Sequence, residues 1–345
     1  KFMSTLTFKP KQVTKKLLSP LSGRAKDVVT SRFGITDGAE RKTLEAIGKQ
    51  YGITRERVRQ IEQFALSTIK KSDTFGEFTH VFAELKQAIH KLGGIVAEHD
   101  FLGKVSKDAE TQNHVHFYLT LGDDFKKHKE DDSFHHRWTI NQKVTDIVHN
   151  ALTELYAGLD NEELVSENHI IDTFTAKLSE LAPEYRSEEI IKRYLTISKS
   201  IGKNALGEWG KTSSPHIHTR GIKDYAYLVM RKFGSPMHFK DVAKDISKYF
   251  GKKAHVATTH NELIKDERFV LVGRGVYGLR EWGHVGGVVR DVIVEVLKES
   301  KKPMSKEAII DQVLKKRVVK ANTIAVNLQN TDFFKKTKEG LYDLA

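Results

Sequence analysis

Residues 52–71, GITRERVRQIEQFALSTIKK, decide how this chain is read. At about 100° per residue, with Arg55 at zero, Arg59, Gln63, Glu56 and Gln60 fall within an arc of roughly 140°. Val58, Ile61 and Ala65 gather on the opposite side. One side is apolar enough to be buried, and the other is free for polar contacts. Thr54 suits an N-cap, Glu56 the positive start of the helix, and Lys70 and Lys71 its negative end. The helix is therefore expected to begin at or next to Thr54.

Immediately upstream, TLEAIGKQYG (residues 43–52) reads as a shorter helix. Thr43 caps it, Leu44, Ile47 and Tyr51 repeat on one face, and Gly52 can take the left-handed conformation that ends it. Two helices and a tight glycine turn make a helix-turn-helix. In that motif the second helix enters the major groove with its N-terminal residues at base edges, here Arg55, Glu56, Arg59 and Gln60. Arginine can pair with guanine, glutamate can accept from cytosine N4, and glutamine can meet adenine or a thymine methyl. The same face also fits the solvated side of a structural helix, and the pattern alone leaves both readings open.

Charge favours the first. The 345-residue chain holds 57 Lys and Arg against 45 Asp and Glu, a formal +12, with a sequence pI of about 9.4. Residues 1–72 hold 16 basic and 6 acidic residues, so +10 of that excess lies in this segment. Basic charge thus concentrates around the reading helix, as phosphate neutralisation along a duplex requires. A membrane surface would attract it too, but no long basic amphipathic helix is visible there.

These residues resemble region four of the sigma-70 family, the bacterial RNA polymerase subunits that recognise the upstream promoter element. Leu18 to Pro20, Arg32-Phe33-Gly34, Thr43-Leu44-Glu45, Gly48-Lys49 and Thr54 to Glu62 carry the likeness, which covers about residues 17–71. It implies that Arg55, Glu56 and Gln60 touch base edges, with Thr43, Arg57, Arg59 and Gln63 holding phosphate or supporting the readers. It also implies docking on the polymerase flap. Family members place an aromatic-rich promoter-melting domain well before this region. Here a basic lead of about sixteen residues precedes the match, so that function is expected to lie outside this chain.

The remaining sequence repeats itself. SPMHFKDVAKDI and KPMSKEAIIDQV align at an offset of 67, matching Pro236 with Pro303, Met237 with Met304, Val242 with Ile309 and Ile246 with Val313. At an offset of 65, Leu263, Phe269, Gly275, Tyr277 and Leu279 meet Leu328, Phe334, Gly340, Tyr342 and Leu344. Each copy reads as helix, a Pro-Met entry to a second helix, a third helix, and a glycine-turned hairpin such as FVLVGRGVYGL, the order of a winged helix. Residues 77–141 repeat the plan with a longer wing, Trp138 standing where later copies place Tyr277 and Tyr342. Residues 143–217 form a fourth, fainter unit. Short polar or glycine-rich joints at 72–76, 141–142, 219–221 and 283–287 separate them.

The unit at 219–282 resembles the HARE-HTH domain, a winged helix shared with the N-terminal domain of the polymerase delta subunit and fused to diverse DNA-acting proteins; Pro236 to Phe239 and Phe269 to Leu279 carry that likeness. The expected fold is mainly α: a helix-turn-helix at 1–72, then tandem winged-helix units, α with a small β-hairpin wing, at 77–141, 143–217, 219–282 and 284–345. Residues 73–345 are close to neutral, with 41 basic and 39 acidic residues, so most of this part is expected to dock protein. From His284 on there are 12 basic against 8 acidic residues, and this unit is the candidate for a weak second DNA contact; its lysines equally fit a merely solvated small domain.

Other signals are declined. The absence of cysteine excludes zinc-ribbon and thiol chemistry and any disulfide. HVH at 114–116, HH at 135–136 and HIH at 216–218 lack a consistent third-ligand spacing, and alternating histidines suit strands. Asp123-Asp124 and Asp131-Asp132 fit solvated turns around the wing. Gly210-Lys211-Thr212 resembles the end of a phosphate loop, but the glycine needed five positions earlier is Ala205. GRGVYG suits a hairpin turn. No catalytic constellation, signal peptide or run of eighteen apolar residues is present. The expectation is a non-enzymatic protein without metal or cofactor, cytoplasmic and on the nucleoid. Its partners would be promoter duplex and core RNA polymerase, with no membrane and no small-molecule substrate.

Overall fold

The computed structural model describes residues 6–36, 38, 40–284 and 287–345. It divides into two compact units, one running to Gly202 and including Trp209–Thr212, the other made of Lys203–Glu208 and Ser213–Ala345.

The first unit opens with α1 Pro10–Leu17, α2 Gly23–Phe33, α3 Leu44–Tyr51 and α4 Arg55–Lys70. Thr43 and Thr54 cap α3 and α4, their hydroxyls accepting from Ala46 N and Arg57 N at 3.1 Å. The stretch expected as a polar joint at 72–76 is instead largely a short helix, α5 Asp73–Glu77. Its N-cap Ser72 donates back to Ile69 O at 2.7 Å, so the chain turns directly from α4 into the next element. The joint expected at 283–287 lies partly outside the described residues.

Next come α6 Thr79–Lys91, β1 Ile95–Ala97, α7 Glu98–Val105, α8 Ala109–Leu121, β2 Lys126–His128 and β3 Arg137–Thr139, with the strands ordered β1-β3-β2. The plan recurs in α9 Gln142–Gly158, α10 Glu167–Lys177, α11 Glu188–Leu195 and the hairpin of β4 Ile201–Lys203 and β5 Trp209–Lys211. In the second unit it recurs as α12 Ile222–Phe233, β6 Met237–His238, α13 Phe239–Phe250, α14 Val256–Lys265, β7 Phe269–Gly273 and β8 Val276–Leu279. The last copy is α15 Val289–Ser300, α16 Lys306–Lys316, α17 Ala321–Asn327, β9 Phe334–Lys336 and β10 Tyr342–Leu344.

One register unites the four copies. A residue between the first two helices faces an aromatic on the hairpin's second strand: Val96 opposite Trp138, Val165 opposite Trp209, Met237 opposite Tyr277 and Met304 opposite Tyr342. The aromatic joins the wing to the helices, which a two-stranded hairpin needs to be stable. Trp209 was not anticipated in this role, although it stands in the same register. The pattern is mainly helical with small antiparallel sheets, as the sequence leads one to expect.

Histidine placement differs from expectation. His114 and His116 lie on helix α8, and neither His135-His136 nor residues 216–218 are within a strand. Alternation over three residues is too short to separate the two periodicities, and the helix-capping Asp108, which accepts from Thr111 N at 2.8 Å, decides the matter locally.

The main core of the first unit crosses the expected boundary near residue 72. Val13, Leu17, Val29, Phe33, Ala65 and Ile69 pack in one cluster with Val81, Phe101, Phe117 and Trp138. Val28, Ile47 and Val58 form a small separate core inside the helix-turn-helix. Strand β1 alternates, Val96 entering the first core while Ile95 and Ala97 enter a second with α9, α10 and α11. Among the described residues, no helix is long and apolar enough to cross a membrane.

Candidate nucleic-acid interface

The turn between α3 and α4 requires two glycines. Gly52 sits at φ +65°, and a Cβ on Gly48 would lie 2.6 Å from Ile53 O. This close approach, with Ile53 N donating to Gly48 O at 2.9 Å, sets α4 against α3. On α4, Val58, Ala65 and Ile69 are fully buried, whereas Arg55, Glu56, Arg57, Arg59, Gln60 and Gln63 are all exposed. The predicted reading arc is therefore one continuous solvent face. Thr43, the other expected support residue, is exposed at the start of α3 and occupied in capping it.

Within that face the side chains pair. Arg59 Nε and Nη2 donate to the two Glu56 oxygens at 2.8 and 2.6 Å, and Arg57 donates to Gln60 Oε1 at 3.1 Å. The Arg59 hydrogen bond holds the Glu56 carboxyl below its ordinary value, and Glu56 raises Arg59 in turn. Arg55 and Gln63 make no side-chain hydrogen bond among the described residues. A base or phosphate contact by Glu56 or Arg59 must first exchange their mutual fork. Phe64 also stands on α4, 67% exposed, one turn beyond Gln60, and was not singled out from the sequence.

Behind the reading face, Arg32 lies 3.5 Å from Glu62 and donates to Lys42 O at 3.0 Å, tying α2 to α4 and to the lead into α3. The connection between α2 and α3 is held from outside the motif. Asn113 on α8 donates to Gly34 O at 2.9 Å and accepts from Arg41 Nε at 2.6 Å. Arg41 also approaches Glu98 at 3.8 Å. Glu98 accepts from Trp138 Nε1 at 2.8 Å and pairs with Lys127 at 2.6 Å and His116 at 3.5 Å. Burial pushes the Glu98 carboxyl up, but His116 and Lys127 outweigh it and hold the group well below the carboxylate range. Arg41, Glu98 and Asn113 carry no local signal, because each partner is distant in sequence.

Helix α8 holds the remainder of the motif. Thr14 on α1 meets His114 Nδ1 at 2.8 Å and the Tyr118 hydroxyl at 2.7 Å, and that hydroxyl reaches Pro10 O at 2.6 Å. Phe33 packs edge-on against Phe117 with ring centroids 5.1 Å apart. The third helix of the first winged unit is thus covered by α1 and α2.

Residues 17–71 match the family described as sigma-70, region 4, and residues 220–282 match HARE-HTH, the HTH domain whose description names ASXL and restriction endonuclease. The chain carries both domains. Over 68 residues it is 44% identical to the RNA polymerase principal sigma factor HrdD of Streptomyces griseus, and likewise to those of Streptomyces coelicolor and Streptomyces viridifaciens. Each alignment covers 20% of this chain and 20% of the relative, so the chain matches about a fifth of the length of these curated proteins. Both domains are of the DNA-binding helix-turn-helix type, and the exposed arc of α4 lies inside the region-4 match.

Proposed function

We propose that this protein is a sequence-reading, sigma-like transcription protein whose α4 enters the major groove of an upstream promoter element. Arg55, Glu56 and Gln60 read base edges; Arg57, Arg59 and Gln63 hold phosphate or support the readers, with Thr43 fixing the helix that precedes them. The observation that carries this reading is the α4 face itself: six polar side chains exposed together on a helix whose opposite side is buried and capped in place. The winged-helix units dock the reader to RNA polymerase or another protein. The role is binding, without cofactor or catalysis, and its site of action is the nucleoid.

A specific observation favours a second reading, a repressor or activator built on a region-4 domain that no longer meets polymerase through it. The apolar surfaces of α1 and α2 are already taken up under α8 of the same chain. Capture of core polymerase by the intact protein separates the two readings.

The binding test is a titration at several salt concentrations against a duplex with an upstream promoter element and a scrambled control. Arg55→Ala and Gln60→Ala each reduce preference at one or two base pairs by about 1–3 kcal/mol and leave non-specific binding in place. Arg59→Ala weakens both duplexes alike and lowers the salt slope by about one. A wild-type protein without preference between the duplexes would falsify the promoter-reading assignment.

A further inference from the structure

Four times this chain builds a third helix with a wing beside it, and the four copies use that surface differently. In the first, α8 is covered by α1 and α2, with Tyr118 and Phe117 fully buried. In the second, α11 opens with the exposed pair Glu188 and Glu189 and packs beside the turn that leads into β1: Tyr194 donates to Gly93 O at 2.6 Å, and a Cβ on Gly93 would strike Tyr194 and Ile190. In the third, the edge of wing strand β7 is engaged, Val318 N donating to Val272 O at 3.0 Å and Arg317 to Leu271 O at 3.4 Å. Those two donors belong to the loop before α17 in the last copy. Three of the four surfaces are therefore spent, wholly or in part, on holding the chain together.

The last copy differs. Lys320 is the N-cap residue of α17, and Asn322 and Thr323 follow it on exposed positions of that helix. The wing adds Lys335, Lys336 and Lys338, all exposed. Both elements rest on one core, which includes Ile324, Leu328 and Phe334, so their cations are carried by a common support. Neighbouring lysines are neutralised, Lys315 by Asp311 at 2.8 Å and Lys316 by Glu299 at 2.6 Å. Lys320, Lys335 and Lys338 have no ion pair among the described residues.

We propose that the last winged unit is a second DNA contact, a phosphate clamp in which Lys320, Lys335 and Lys338 hold the backbone of a duplex. The neutral face of Asn322 and Thr323 lies toward the groove and makes little choice between bases. Cations drawn from a helix start and a wing, flanking a small uncharged face, suit a groove with phosphates on either side better than an extended acidic peptide. The inference rests on the chain being DNA-binding. Its consequence is affinity without added specificity: once α4 has engaged, the tethered second contact sees the same duplex at high effective concentration.

The test uses the full chain and a duplex long enough for two contacts, titrated at several salt concentrations. The triple variant Lys320→Gln, Lys335→Gln, Lys338→Gln should lower the salt slope by about 2–3 and weaken promoter and scrambled duplexes alike by about 10-fold or more. The ratio between the two duplexes should stay unchanged, and the corresponding triple Lys→Arg variant should restore both slope and affinity. Because the three side chains are exposed, the melting temperature should not move, and that is measured on the same samples. An unchanged slope overturns the proposal, and is the outcome expected if the patch serves an acidic protein. Failure of the α4 reading is distinguishable: it abolishes the preference between duplexes in the wild type and leaves the slope change in the triple variant intact.

Discussion

Helices α4 and α8 occupy the same place in two related motifs, the last helix before the chain leaves the helical layer, yet α4 is open to solvent and α8 is enclosed. Helix α4 buries Val58, Ala65 and Ile69 and leaves a broad polar arc. Helix α8 buries Asn113, His114, Val115, Phe117, Tyr118, Leu119 and Leu121, which lie all round it. A helix apolar on every side must be covered on every side. The polar groups that α8 does carry are spent on neighbours: Asn113 on Gly34 and Arg41, and His114 and Tyr118 on Thr14. The comparison shows that a helix-turn-helix fold does not by itself make a DNA reader. In this chain one copy of the reading position has become the clamp that positions another.

The largest test of that relation is Phe117→Ala. Removing this fully buried ring, which packs against Phe33, should cost about 3–5 kcal/mol in urea unfolding. Residues on both sides of position 72 should then become protease-sensitive together. Persistence of the helix-turn-helix while the first winged unit opens would break the claim of one shared core.

Gly48→Ala strikes the open helix instead of the enclosed one. Its new Cβ would sit 2.6 Å from Ile53 O, a fixed backbone atom, and we expect a loss of about 1–3 kcal/mol together with loss of base preference. A stable variant that still discriminates promoter from scrambled duplex would show that the turn tolerates movement of α4.

Acid should act on α8 before it acts on α4. Burial lowers His114 and His116 below the ordinary histidine value of 6.5. Glu110, with Asp108 beyond it, opposes this at His114 while Lys11 adds to it; at His116, Glu98 opposes and Arg41 and Lys127 add. A depressed folded value means the unfolded chain binds the proton more tightly. The stabilisation is then complete above about pH 6.5 and is lost as pH falls through the folded values. Urea midpoints measured across this window should fall, and His114→Gln should flatten part of the fall.

The smallest expected effect on stability is at the reading face. Glu56→Gln removes an exposed ion pair and should leave the unfolding midpoint where it was. The same change frees Arg59, so the salt slope of DNA binding should steepen by about one if Arg59 then takes a phosphate. A lowered midpoint with an unchanged slope would instead make the Glu56–Arg59 fork structural.

The region-4 motif was legible because its instructions are short-range. Thr43 and Thr54 cap within three residues, Gly52 takes its positive φ at the turn, and the α4 arc follows from a period of 3.6. The winged repeat was legible through the spacing of Met237, Tyr277, Met304 and Tyr342. Trp209 escaped notice because its fainter unit has a Val165 bridge where the first and third copies form a named strand. The histidines of α8 misled because three alternating residues fit a strand as readily as a helix.

Sequence alone thus settled the elements, their order, and the polar arc on α4, all of which depend on residues within a turn or two of each other. Which surfaces would remain open was decided by tertiary packing. Thr14 meets Tyr118 and Asn113 meets Gly34 only after the chain has closed long loops, and no residue near either end of those contacts announces its partner. Burial is a property of what arrives from elsewhere in the chain. The same helix-turn-helix position can therefore end as a reading face in α4 and as a buried strut in α8.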